Sequence, residues 1–350
     1  MVGNHFLIFL PGIMGTELRY VGVGRYLELV DQPVWGEDFS AILNALAGDP
    51  NILRGDLVVG EVLKKVSFRF FGISLAYGRF LEFVINDLGY KSDINFKAFG
   101  YDWRKDNQES AQSLAEFMRK RLREGVQEFK IIAHSMGGIV ARLLFANPKN
   151  KDLLDRTTLF VQIGTPVRGS SKAFYTLKII PEFNIFVRFI MLLKNHLRPK
   201  IYKDLMDSIS TFASLYQLLP PETEQILVDE NGKRLDALQD AVWSKLEDKG
   251  ILSRAREVHR LIQKCPTENM RIVTFYGSDI ITDGDYVVDS HFDVVKKRPS
   301  PFIGDGTVTI ASAAADTPAK DRQRIRGKNA LHDNLPNHDS VKQSLSNLLT

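Results

Sequence analysis

The stretch IIAHSMGGIV, residues 131–140, places Ser135 between an apolar run and a pair of glycines. A strand entering and a helix leaving at that point hold a serine on a tight, strained turn, with its hydroxyl exposed next to a helix N-terminus that favours developing negative charge. Such a turn needs small residues two before and two after the serine; Gly137 meets this on one side, and Ala133 carries a single methyl group on the other. A serine becomes a nucleophile only when a base takes its proton, an acid orients the base and N–H donors meet the oxyanion. Two histidines in NALHDNLPNHDSV are candidates for the base. His332, one short loop ahead of the closing helix, is favoured over His338, which falls near that helix's N-cap, where Asn337 or Asp339 is the natural capping residue. Asp305, between glycines in FIGDGTVTIAS, and Asp279, directly after a strand in YGSDI, are the candidate acids. In FLPGIMGTEL, Pro11 and Gly12 break a strand and let the backbone come close to a substrate, so the N–H of Ile13, with that of Met136 after the serine, is a candidate oxyanion donor. His134 is expected to pack against the turn; His5, His196, His259 and His291 show no metal-ligand spacing, and no metal or cofactor is expected.

These residues need a scaffold, and short apolar runs supply one. HFLIFL (5–10), INFKAFG (94–100), FKIIAHS (129–135), LFVQIG (159–164) and MRIVTFYG (270–277) are β-branched or aromatic-rich and end at Gly, Pro or Ser, as buried parallel strands do. Between and after them SAQSLAEFMRKRLREG (110–125), with Leu114, Phe117, Met118 and Leu122 on one face, GGIVARLLFAN (137–147) and SVKQSLSNLL (340–349) read as helices. Strand–helix alternation implies an α/β fold with a mostly parallel, doubly wound sheet. The alternation lapses between about 168 and 262, which is read as a helical cap or lid over the sheet's carboxyl edge, where ligands bind. The core is then 1–167 and 263–350, with a small helical excursion at about 20–90 that includes QPVWGEDFSAILNAL and YGRFLEFVINDLGY.

Bulk properties narrow the class. The chain has 350 residues, 44% apolar and 25% charged, an ordinary globular balance. A net charge of +4 argues against a nucleic-acid partner, and the basic residues Lys296, Lys297, Arg298, Lys320, Arg322, Arg324, Arg326 and Lys328 are expected in solvated loops. A single cysteine, Cys265, excludes an intrachain disulfide. The first apolar run is too short for a secretory leader, and FNIFVRFIMLLKNHL, interrupted by Arg188 and Lys194, is too short to span a membrane, so a cytoplasmic location is expected.

Taken together, FLPGIMGTEL, VWGEDFSAI, FGYDWR, AHSMGG, IGTPVRGSSKA, STFASLYQLLP, FYGSDIITDGDY and GDGTV resemble the lecithin:cholesterol acyltransferase-like α/β-hydrolases, a family that includes lysosomal phospholipase A-type enzymes. The resemblance runs along nearly the whole chain, with Ala133 and the lack of cysteine pairs as departures. It implies an α/β-hydrolase fold and Ser-Asp-His order, with Asp305 rather than Asp279 as the acid and His332 as the base. It also implies Trp103 packed near the oxyanion loop, Arg104 in an internal ion pair, and a lipid-like ester substrate such as a phospholipid or acylglycerol. The expected activity is that of a serine esterase of lipase or phospholipase type, with acyl transfer by the same triad as the alternative. A catalytically silent lipid- or partner-binding protein is the alternative of a different class. The apolar, base-punctuated segment FNIFVRFIMLL marks the cap as the surface for peripheral membrane contact.

Overall fold

The computed structural model describes residues 5–20, 33–38, 42, 45–46, 48–65, 77–178, 204, 207–244, 246–248, 250–266, 270–297 and 303–349. Six strands form the central sheet: β1 (His5–Leu10), β2 (Phe96–Ala98), β3 (Glu128–His134), β4 (Thr157–Ile163), β5 (Arg271–Gly277) and β6 (Arg322–Ile325). Their order is β6-β5-β4-β3-β1-β2, and every neighbouring pair is parallel. Alternation of side chains along each strand divides the core in two. Phe6, Ile8 and Leu10 of β1, Phe129 and Ile131 of β3, and Phe160 of β4 join one apolar cluster. Leu7, Phe9, Ile132, Val161 and Ile163 join the other. The first face carries helices Asn107–Arg123, Met136–Ala146 and Gly250–Ile262; the second carries Gly78–Glu82 and Asp339–Leu349. Burial on both faces is why these strands read as unbroken apolar runs, and the arrangement is the doubly wound α/β sheet expected.

Helix Asn107–Arg123 shows how local sequence sets an element's limits. Asp106 caps it by accepting from the Gln108 N–H at 2.9 Å, Lys120, Arg121 and Arg123 face the negative end of its dipole, and Gly125, at φ 101°, turns the chain away.

Three expectations change. β6, at the sheet edge, lies in RQRI, where Arg322 and Arg324 point to solvent; an edge strand with charged outward positions does not look apolar, and Lys296 and Lys297 likewise sit on a strand, Val294–Lys297. The excursion after β1 is only partly helical, since Thr16–Tyr20 pairs antiparallel with Pro33–Trp35 and with Leu57–Val62. The 168–262 segment contains a hairpin, Leu227–Val228 with Arg234–Leu235, closed where Asp229 accepts from the Asn231 and Lys233 N–H groups and Gly232 takes φ 83°. That hairpin forms a four-stranded sheet together with Tyr286–Val288 and Val294–Lys297. The segment also shares the main core: Phe174, Leu215, Tyr216 and Trp243 pack in the same cluster as the sheet. The apolar cap segment FNIFVRFIMLL lies outside the described residues. Among those described, no helix is long and apolar enough to cross a membrane.

The Asp102–Arg104 pair pins the excursion to the core. Arg104 grips the Asp102 carboxylate through Nε at 2.8 Å and Nη2 at 2.6 Å, and its Nη1 donates to Leu53 O at 2.5 Å and Gly55 O at 3.1 Å. Both side chains are buried. Removing the guanidinium strands a buried carboxylate, so Arg104→Ala is expected to lose about 3–5 kcal/mol in urea unfolding, and Asp102→Asn/Arg104→Met to recover much of it. An Arg104→Ala midpoint equal to wild type would contradict this.

Candidate active site

Ser135 follows β3 and precedes helix Met136–Ala146 with φ 53° and ψ −125°, a conformation that L-residues other than glycine rarely adopt. Its N–H donates to Ile163 O at the end of β4 at 2.9 Å, and its carbonyl accepts from the Gly138 N–H at 3.0 Å. The helix passes so close to β1 that a Cβ on Gly137 would lie 2.6 Å from the carbonyl oxygens of both Leu10 and Pro11. Ala133 is fully buried in register with Leu10 and Gln162, and its methyl group is absorbed by the core.

Three loops at the carboxyl edge of the sheet converge here. His332 Nε2 lies 2.8 Å from Ser135 Oγ, and His332 Nδ1 lies 2.8 Å from Asp305 Oδ2. The other Asp305 oxygen accepts from the N–H groups of Thr307 at 2.9 Å and Val308 at 2.7 Å, and the His332 N–H donates to Asp305 O at 2.9 Å. The Asp305 carboxylate is thus held by backbone on one side and presents one oxygen to the ring. Gly164, at φ 59°, lies over that contact: a Cβ there would come within 3.2 Å of both Asp305 Oδ2 and His332 Nδ1. Burial alone would lower the His332 pKa; the charge and hydrogen bond of Asp305, joined by the charge of Asp333, outweigh it and hold the pKa above the ordinary histidine value. Asp333 itself is pushed up by burial, against the pull of His332 and Lys172.

The alternative residues lie elsewhere. Asp279 is exposed, accepts from the Gly327 N–H at 2.9 Å and faces Arg324 at 3.6 Å, where it braces the turn after β6. His338 does not reach Ser135; its Nδ1 accepts from the Ser340 N–H at 3.2 Å, so it caps the last helix itself where Asn337 or Asp339 was expected to. Trp103 donates from Nε1 to Thr16 O at 3.1 Å, just past the 11–15 loop, and meets Trp35 edge-on with centroids 5.4 Å apart.

A cavity of about 110 Å³ opens on Ser135 and His332, lined largely by apolar groups from Ile13, Met14, Trp103, Leu215, Leu218 and Val308. Met136 occupies the first position of its helix, where an N–H has no intrahelical acceptor. At the other candidate donor, Gly12 O accepts from the Gly15 N–H at 3.1 Å, so across the trans peptide the Ile13 N–H points away from Gly15. Two charged residues on the cavity wall escaped the sequence reading. Lys172, whose Nζ donates to Gly306 O at 3.0 Å, sits within the quoted IGTPVRGSSKA, and Asp333 adjoins His332. Lys172 carries no spacing signal, because tertiary packing alone brings it to the site, whereas Asp333 arrives there as the chain neighbour of His332.

A sequence model of the lecithin:cholesterol acyltransferase family matches residues 74–255, just over half of the chain's 350. No curated protein matches in sequence. Among solved structures, that of a Tle4-Tli4 complex aligns with a TM-score of 0.57 and 15% identity over 99% of this chain and 98% of that one. The mature lipase BlEst2 of Bacillus licheniformis aligns at 0.46 and 12% over 99% and 92%.

Gly137, in the strand–serine–helix elbow formed by β3, Ser135 and helix Met136–Ala146, gives a direct test. In a helix alanine is favoured over glycine by about 1 kcal/mol, but a methyl group 2.6 Å from two backbone oxygens cannot be relieved by side-chain rotation. Gly137→Ala is therefore expected to lose at least about 2 kcal/mol of stability, read from the urea midpoint; a stabilised variant would show that the close approach is not real.

Proposed function

Because the chain belongs to the lecithin:cholesterol acyltransferase family, whose fold is that of the α/β-hydrolases, we propose that it is a serine hydrolase of lipid-like carboxylic esters. The observation that carries the proposal is the pair of contacts that His332 makes, Nε2 to Ser135 Oγ and Nδ1 to Asp305 Oδ2, each at 2.8 Å, opening on an apolar cavity. In this reading His332 takes the Ser135 proton as the oxygen attacks the ester carbonyl. The tetrahedral oxyanion is met by the Ile13 and Met136 N–H groups. His332 then protonates the departing alcohol, leaving an acyl group on Ser135. Water, deprotonated by the same ring, attacks that acyl group and frees the carboxylic acid and the enzyme. Asp305 keeps its charge throughout and stabilises the imidazolium. Trp103 and Gly12 serve the oxyanion loop, and Arg104 holds the segment behind it.

The mostly apolar wall suits an acyl chain, and the neighbouring charges of Lys172 and Asp333 suit a polar head group or glycerol hydroxyl. With an alcohol present, transfer of the acyl group would compete with water through the same intermediate; quantifying free acid against new ester across a lipid panel separates the two. The described part of 168–262 is proposed as the cap over this opening, which its Ser170, Lys172, Ala173, Thr176, Leu215 and Leu218 line.

Fluorophosphonate labelling is expected to modify Ser135 and to be lost in Ser135→Ala and His332→Ala but retained in His338→Ala. Turnover of a soluble p-nitrophenyl ester should fall by about 10⁴-fold or more in Ser135→Ala. Label on another residue, or undiminished turnover, would sink the reading.

The proposal also sets a pH dependence. The base must be neutral, so kcat/KM should fall as pH drops through the His332 pKa. Asp333 raises that pKa; Asp333→Asn is therefore expected to move the acidic limb to lower pH. A limb that stays put or moves up would remove Asp333 from the electrostatics of the site.

A further inference from the structure

The triad chemistry makes no use of His134, the buried residue just before Ser135, or of Tyr77 behind it. Their hydrogen bonds nevertheless have only one arrangement of protons. His134 Nε2 lies 3.0 Å from His332 O, and a carbonyl oxygen can only accept, so Nε2 carries the proton. Nδ1 then offers a lone pair, and Tyr77 Oη, 2.7 Å away, must donate to it. The Tyr77 oxygen accepts in turn from the Gly12 N–H at 2.8 Å. Burial, reinforced by the facing His332, holds the His134 pKa well below the ordinary value, so the ring stays neutral and the order is not scrambled by a second proton. Burial likewise keeps the Tyr77 hydroxyl protonated.

The far end of this chain is the strand-breaking Pro11–Gly12 peptide, and it is held from both sides: the Pro11 carbonyl accepts from Tyr101 Oη at 2.8 Å. The loop has no slack against the elbow, since a Cβ on Gly12 would lie 3.0 Å from Ser135 Cβ and 3.2 Å from both His134 Nδ1 and Tyr77 Oη.

We propose that Tyr77 and His134 are positioning residues: a one-directional hydrogen-bond relay from the Gly12 N–H through Tyr77 and His134 to His332 O, setting the Ile13 N–H in register with the base. The inference rests on the serine-hydrolase reading and adds two side chains that act through the loops they join. The relay explains why Gly12 is not itself an oxyanion donor, its N–H being committed to Tyr77. It also couples two loops that lie 320 residues apart in sequence, 12 and 332, through the residue adjoining the nucleophile.

The test uses the full chain and two independent readouts. In Tyr77→Phe, kcat on a soluble p-nitrophenyl ester is expected to fall about 10–100-fold, the size of effect that a small misplacement of a catalytic group produces, with KM nearly unchanged. His134→Asn places an amide oxygen where Nδ1 was, and His134→Gln an amide nitrogen near Nε2; each keeps half of the relay and should fall between wild type and Tyr77→Phe. Independently of activity, ¹⁵N NMR of histidine-labelled wild type should show a ring locked as the neutral Nε2–H tautomer from about pH 5 to 9, a window that brackets the ordinary histidine pKa, and absent from both His134 variants. A Tyr77→Phe enzyme with wild-type kcat overturns the relay, as does an Nδ1–H or titrating His134. So does a loss of activity that appears wholly as a raised KM. Turnover that persists in Ser135→Ala would instead remove the hydrolase reading, so the two failures are distinguishable.

Discussion

The backbone of Ser135 is held at φ 53° and ψ −125°, and much of the surrounding structure can be read as what keeps it there. A strained non-glycine conformation of this kind costs on the order of 1–3 kcal/mol and persists only where neighbours over-determine it. Here β3 delivers the chain from the middle of a sheet buried on both faces, the Ser135 N–H is tied to the end of β4, and the departing helix is seated against the end of β1 with no room for a side chain at Gly137. Three adjacent strands therefore meet at one residue. The strain lifts the Ser135 hydroxyl out of the β3 ladder to where the loops after β5 and β6 can reach it.

Those loops bring a charge into a buried place, which is the second constraint. Asp305 is almost wholly buried, and its carboxylate is tolerable because each oxygen is satisfied, one by two backbone N–H groups and one by His332. The pairing has opposite consequences for stability and for the proposed chemistry. His332 has a folded pKa above its unfolded one, so its pairing contributes stability that is fully present below the unfolded pKa and lost as pH rises through the folded value. In the proposed chemistry His332 acts as a base only when neutral, on the far side of that same titration. The site is thus most useful where the pair contributes least to holding the fold together, and the backbone grip on Asp305 keeps the loop in place when the ring is uncharged.

What could be read from the sequence follows from which interactions are local. Five central strands and three helices were legible because burial on both faces imposes an unbroken apolar run and burial on one face imposes a helical stripe; Leu114 and Met118 are fully buried on the expected face. The strand–turn–helix context of Ser135 and Gly137 was legible because tight backbone geometry restricts the residue types that fit, whereas the choice of Asp305 over Asp279 came from the family resemblance and not from local geometry. β6 was not, since its outward arginines obey the solvent at the sheet edge. The antiparallel strands around Thr16–Tyr20 were missed for a related reason: they are short, and Val58 and Val59 on one of them are exposed, so no clean alternation marks them. His338 shows the limit of capping rules, because a histidine ring nitrogen can accept the N–H that an Asn or Asp side chain would otherwise take. Tyr77 lies in a stretch with no chemical signature and comes to the elbow only through tertiary packing against Phe9, 5.0 Å away between ring centroids.

The oxyanion donors proposed here are backbone groups, and a backbone N–H has no side chain through which its direction could be adjusted. Its direction can be set only by fixing the peptides around it. In this chain that is done with aromatic side chains carrying one polar atom each. Tyr101 holds the Pro11 carbonyl, Tyr77 the Gly12 N–H, Trp35 the Met14 carbonyl and Trp103 the Thr16 carbonyl. Such residues combine a large buried surface, which resists displacement, with one directional bond. Smaller polar residues would supply the bond without the anchorage, and apolar ones the anchorage without the bond. Four aromatic side chains converging on residues 11–16 are therefore one way to fix the main-chain donors of such a site. On this reasoning the rigidity of residues 11–16, more than the identity of their side chains, is the property on which oxyanion stabilisation depends.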